Sequence, residues 1–192
     1  VTRSGAIAFQ IENAMASIAA AWAINIPWET ICKGLATFIS DIQGVPGRFN
    51  VFEYKGATVI ADYGHNPDAI KALVQAVTNL PAQKRSVVIS GAGDRRDDDI
   101  REQTRIIGDA FDEVVLYQDA CQRGRVDGEV LKLLRQGLEG AKRTRQVDEI
   151  YGEFLAIDKA MERLNQGDLC LILIDQVEEA LAHITQRVEA AS

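Results

Sequence analysis

Cysteine is scarce in this sequence: three residues in 192, with no CxxC pair among them. Cys32, Cys121 and Cys170 therefore exclude a disulfide scaffold and a cysteine-rich metal site, and they suit a reducing compartment such as the cytoplasm. Histidine is rarer still, and His65 and His183 lie too far apart to suggest a metal site. Base is outnumbered by acid, 21 to 28, for a formal charge of −7. With its arginines scattered among carboxylates, the chain lacks the basic stripe of a nucleic-acid binder. No apolar run approaches the roughly 20 residues that a membrane-spanning helix needs. Nor does GxxxxGK[ST] occur, so no P-loop is recognisable. What is present is the material of a core, since 47% of residues are hydrophobic against 26% charged.

The chain opens VTRSGAIAF, without an initiator Met, and enters an apolar pattern at once. That beginning reads as part of a longer polypeptide. Ile11, Ala14, Met15, Ile18, Ala19 and Trp22 recur at three and four and predict one helix. A second follows Pro27, carrying Ile31, Leu35 and Phe38, with Trp22 and Trp28 as packing anchors at the turn between them. Two helices cannot form a domain alone. The run SDIQGVPGRFN is dense in Gly, Pro, Ser and Asn and marks a boundary. The division expected is therefore residues 1–41 as the tail of a neighbouring domain, 42–50 as a linker, and 51–192 as the main domain.

Beyond the boundary, two apolar runs separated by Lys55-Gly56 predict a hairpin. Strand and helix patterns then alternate. The continuous LCLILI near the end predicts a strand covered on both faces, whereas residues 147–150 give only a weak strand pattern. The fold class expected is α/β: a mostly parallel Rossmann-like sheet, helices on both faces, an antiparallel edge hairpin, and two helices in front.

Open α/β sheets bind ligands beyond the carboxyl ends of their strands. Three segments stand there. DYGHNPD offers Asp62, His65, Asn66 and Asp68, although Asn66 before Pro67 also fits a helix N-cap. SGAGDRR offers glycines that could bring backbone N–H groups to an anion, with Asp94 and Arg95 beside them. QDACQRGR offers Asp119, Arg123 and Arg125, which could grip charged ligands or simply face solvent. Arg48 adds a cation within the linker. The run Asp97-Asp98-Asp99 reads as a helix start, and His183 as a helix-surface residue.

Taken together, Gly47-Arg48-Phe49, DYGHNPD and Gly93-Asp94-Arg95 resemble the Mur ligase superfamily where its ATP-binding domain meets its C-terminal domain. PGRFNVFEYKGATVIADYGHNPDAI and SGAGDRRDDDIREQ, with DACQRGR, look like the cyanophycin-synthesising branch. The resemblance implies an ATP- and Mg2+-dependent amide-forming ligase that joins arginine to the β-carboxylate of aspartate in a poly-aspartate or cyanophycin primer, through an acyl phosphate. A DNPR-like element in place of DACQRGR would instead mark a peptidoglycan ligase adding a diamino acid. The alternatives are such a peptidoglycan-precursor ligase or a noncatalytic α/β module.

The resemblance also implies roles. Arg48 and His65 are catalytic. Asn13, Arg48, Asp62 and Asn66 serve the nucleotide. Asp94, Arg95, Asp119, Arg123 and Arg125 serve the substrate, and no residue serves a metal. The remainder of the parent ligase is the implied partner, self-association through exposed apolar residues is a further expectation, and the segment by itself is expected to be inactive.

Overall fold

The computed structural model describes residues 7–191. Two helices come first, α1 (Ala8–Ala23) and α2 (Trp28–Thr37). The remaining elements follow as β1 (Asn50–Tyr54), β2 (Ala57–Asp62), α3 (Pro67–Thr78), β3 (Arg85–Ile89), α4 (Asp97–Gly108), β4 (Glu113–Gln118), α5 (Glu129–Gly137), β5 (Gln146–Tyr151), α6 (Glu153–Glu162), β6 (Leu169–Leu173) and α7 (Val177–Glu189). The expected α/β class is the observed one. The weak pattern at 147–150 is a full edge strand, β5, paired along its length with β4.

The six strands lie in the order β1-β2-β6-β3-β4-β5. Only β1 and β2 are antiparallel, joined through Lys55 and Gly56, both at positive φ. Side-chain alternation divides the core into two layers. Leu169, Leu171 and Leu173 of β6 face one layer with Ile70 and Leu73 of α3, Ile100 of α4 and Leu134 of α5. Cys170 and Ile172 face the other, with Ile157 of α6 and Leu181 of α7. Each such Leu or Ile contributes about 1.5–3 kcal/mol by leaving water. The full burial of β6 explains why its sequence is continuously apolar.

The helix starts follow from local chemistry. Asn66 Oδ1 accepts the N–H of Ala69 at 2.8 Å, with Pro67 as the first residue of α3. Asp97, Asp98 and Asp99 form the first turn of α4, where acidic groups meet the positive end of the helix dipole.

Helices α1 and α2 differ from the rest. α1 buries no residue within its own span, and α2 buries only Ile31. Ile7, just before α1, joins the core, and Phe9 meets Phe49 edge to face at 5.9 Å. Trp22 and Trp28 touch each other, with centroids 5.8 Å apart, yet stay 65% and 55% exposed. They pack on one another across the α1–α2 turn, with more than half of each side chain left in solvent. Residues 1–6 of the expected neighbouring-domain tail lie outside the described residues. Among the described residues, no helix is long and apolar enough to cross a membrane.

One topological feature positions the site. Neighbouring strands β2 and β6 send their chains to opposite faces, since α3 packs in one layer and α7 in the other. Such a divergence opens a crevice above the carboxyl ends of the two strands.

Candidate functional site

The residues after β2 tie the 45–50 turn to the sheet. Asp62, 7% exposed, accepts the N–H of Phe49 at 2.8 Å on one carboxylate oxygen and that of Gly64 at 2.7 Å on the other. Tyr63 donates its N–H to Gly47 O, and Asn50 accepts the N–H of Gly47 at 2.7 Å while donating to Val45 O. Gly47 stands at φ +69°, and a Cβ there would lie 2.9 Å from Val177 Cγ1, so both backbone and space require glycine. Burial pushes the Asp62 carboxyl up, outweighing the two N–H donors and the charges of Arg48 and His65.

Beside this clasp lies a cleft of about 530 Å³ between α1 and α3. Phe9, Phe38, Ala72 and Leu73 give it apolar walls, and Asn13, Arg48 and Asp62 give it polar ones. It therefore brings together three of the four residues expected at a nucleotide. The fourth, Asn66, stands outside the lining as the cap of α3. The Arg48 side chain is exposed, its guanidinium 5.8 Å from the Tyr63 ring. The size, apolar walls and few convergent polar groups fit a nucleotide. Each Asp62 oxygen keeps a lone pair beyond its backbone donor.

The second neighbourhood adjoins the first. The His65 ring packs on Tyr63 at 4.5 Å, with Nδ1 2.5 Å from Tyr63 O and Nε2 3.6 Å from Asp175 Oδ1. Gln103 Nε2 donates to His65 O at 3.0 Å, fixing the backbone. Arg123 reaches Asp175 at 3.4 Å and Asp94 at 3.5 Å. The Asp119 carboxyl is pushed up by burial, then by the charge and hydrogen bond of Asp175, against the N–H groups of Ala120 and Cys121. The mouth therefore collects His65, Asp94, Asp119, Arg123 and Asp175 from four strand ends.

Two other expected residues behave differently. Arg125 turns inward, donating to the carbonyls of Gly93 and Arg95 at 2.7 Å each and pairing with Glu129 and Asp97. It braces the loop. Arg95 is an exposed side chain at the rim. The glycines of SGAG also serve packing: a Cβ on Gly93 would fall 2.1 Å from Gln122 O, and one on Gly91 2.9 Å from Val130 Cγ1. They allow close approach of loop and helix.

Asp175 carried a signal of its own, because it directly follows the LCLILI run near the carboxyl end of its strand, where Asp62 closes β2. Glu153, whose carboxylate accepts the Asp175 N–H at 2.8 Å, carried none. Among the described residues, no three His, Cys, Asp or Glu side chains converge to hold a metal ion. These residues do not build a magnesium site by themselves.

The model of the Mur ligase, glutamate ligase domain, matches residues 47–173. The chain belongs to the Mur ligase family. As a Mur ligase C-terminal domain it is 32% identical over 187 residues to a cyanophycin synthetase from Nostoc sp., covering 97% of this chain and 21% of that protein. It is 33% identical over 165 residues to a UDP-N-acetylmuramoyl-L-alanyl-D-glutamate–2,6-diaminopimelate ligase from Alkaliphilus metalliredigens, covering 85% of this chain and 32% of that one. The solved structure of E. coli FolC in complex with DHPP and ADP shares the fold, with a TM-score of 0.68 and 23% identity, over 93% of this chain and 39% of that chain. The chain thus spans only about a fifth to a third of its curated relatives.

Proposed function

We propose that this Mur ligase domain is the C-terminal part of an ATP-dependent ligase that joins a carboxylate to the amine of an amino acid. The observation that carries the reading is the adjacency of the two neighbourhoods. Asn13, Arg48 and Asp62 line one cleft, and His65 follows Asp62 into the charged mouth. Residues 1–41 are then the tail of the ATP-binding domain, 42–50 the linker, and 51–192 the domain that presents the amine.

ATP supplies the phosphoryl group that converts the acceptor carboxylate to an acyl phosphate, with magnesium held elsewhere in the parent. Arg48 binds and orients phosphate oxygens, for which a guanidinium fork is suited. Asp62 and Asn13 hold the nucleoside, and Asn66 fixes the start of α3 behind them. The amine attacks the acyl carbon, the C–N bond forms as the C–O bond to phosphate breaks, and the amine sheds a proton. His65 Nε2 is placed to take that proton. Asp94, Asp119 and Arg123 hold the incoming amino acid, with Arg95 at the rim and Arg125 keeping the loop in place. Holding both reactants in one closed site supplies much of the rate.

Two acceptors are in view. Addition of a diamino acid to a peptidoglycan precursor is supported by the diaminopimelate ligase relative. Addition of arginine to a poly-aspartate primer is supported by the relatives that match nearly the whole chain. The full-length parent, assayed for ATP turnover and product mass with each acceptor and amino acid pair, decides between them. Turnover with one pair, abolished by Arg48→Ala in a folded protein, supports the ligase reading and fixes the acceptor. No amide product from either pair would leave the noncatalytic module as the better description.

A further inference from the structure

Glu153 is the first residue of α6 and only 3% exposed. One carboxylate oxygen accepts the N–H of Asp175 at 2.8 Å; the other accepts the N–H and side-chain amide of Gln176 at 3.1 and 3.2 Å. Burying a carboxylate is costly even when it is hydrogen-bonded. A Ser or Asn at position 176 would cap α7 locally without a buried charge. What Glu153 adds is control of the preceding residue from a different helix. Asp175 stands 3.6 Å from His65 and 3.4 Å from Arg123 and also meets Asp119, so the loops after β2 and β4 both converge on one side chain whose backbone Glu153 fixes.

The geometry points to Glu153 as a positioning residue for the incoming amino acid: it clamps the 175–176 turn so that Asp175 holds His65 and Arg123 in the mouth. This role rests on the ligase reading above. Glu153 itself touches no substrate.

Glu153→Gln keeps the size and one acceptor but turns an NH2 donor toward a backbone N–H. In the full-length parent, with L-arginine and meso-diaminopimelate each tried beside its acceptor, this variant raises the KM for the amino acid about tenfold. The KM for ATP stays within about twofold. Asp175→Asn produces a similar rise, and the double variant adds little to either single one, as expected for groups acting through one another. Amide exchange accelerates at Asp175 and Gln176 more than elsewhere, while the thermal midpoint falls by only a few degrees. An unchanged amino-acid KM in an active parent, or a parallel rise of both KM values with a lower midpoint, would overturn the positioning role alone. Unaltered exchange at both amides would overturn the clamp regardless of activity. A wild-type parent that forms neither amide would instead overturn the ligase reading, and this role with it.

Discussion

The carboxylate of Asp62, at the end of β2, accepts the N–H of Phe49 across thirteen residues of chain at 2.8 Å. Phe49 stands at φ +51°, a conformation that L residues adopt only when their surroundings hold them. The bond and the strained residue together set the direction from which the chain enters β1, and with it the place of Arg48.

Asp62→Ala leaves the N–H groups of Phe49 and Gly64 without their acceptor, and should lower stability by about 2–4 kcal/mol in urea unfolding. Asp62→Asn isolates the charge. Because burial raises the folded pKa above the ordinary 3.8, Asp62 contributes stability below that value, and loses it as pH rises through the raised pKa. Wild type should lose stability relative to Asp62→Asn over that window, and parallel pH profiles would refute the assignment.

Gly93→Ala drives a methyl group to 2.1 Å from Gln122 O, so the loop carrying Asp119 and Arg123 must shift. A cost of about 1–3 kcal/mol is expected. Gly124→Ala is the control: nothing stands near its Cβ, and its φ of +91° alone should cost about 1 kcal/mol. Thermal midpoints of the two variants should rank accordingly.

Asp112 behaves oppositely to Asp62. Burial works to raise its pKa, but the Arg143 fork at 2.9–3.0 Å, the Arg85 N–H at 2.8 Å and both cations outweigh it, and the result is lowered. Its stabilisation is present above 3.8 and lost as pH falls through the lowered value. Asp112→Asn should cost about 1–3 kcal/mol at neutral pH. The gap from wild type should begin to narrow below pH 3.8 and close only once the pH has fallen through the lowered value, and a gap that does not narrow over that window would count against the pairing.

Amide exchange should separate α1 and α2 from the remainder. With no buried residue in α1 and only Ile31 in α2, both should open locally and insensitively to denaturant, whereas β6 and β3 exchange only on global unfolding. Equal protection throughout would show that the two helices are held by more than their packing suggests.

The sequence revealed whatever was local. LCLILI disclosed a doubly covered strand, Lys55-Gly56 a hairpin, and Asn66-Pro67 a helix start, because in each case the residues act on their own backbone. It concealed whatever depends on a distant partner. The central place of β6 follows from pairing with β2 and β3, which no stretch of residues announces. Trp22 and Trp28 read as anchors, and only placement shows that they meet each other while staying largely exposed. The crowding at Gly93 stays hidden until Gln122 is seen against it, and Glu153 is one acid among many until Asp175 is found on its carboxylate.

The placement of β6 also has a consequence in time. It is the last of these six strands in chain order, yet it alone among them joins the β1-β2 pair to the β3-β4-β5 group. On the ribosome, therefore, nothing can link the two parts of the sheet until β6 emerges, and until then β2 and β3 each lack a parallel neighbour on that side. The sheet becomes one body only when its final strand slides between them, so a chain cut short anywhere before Leu169 would leave two unjoined remnants and not a smaller version of the domain.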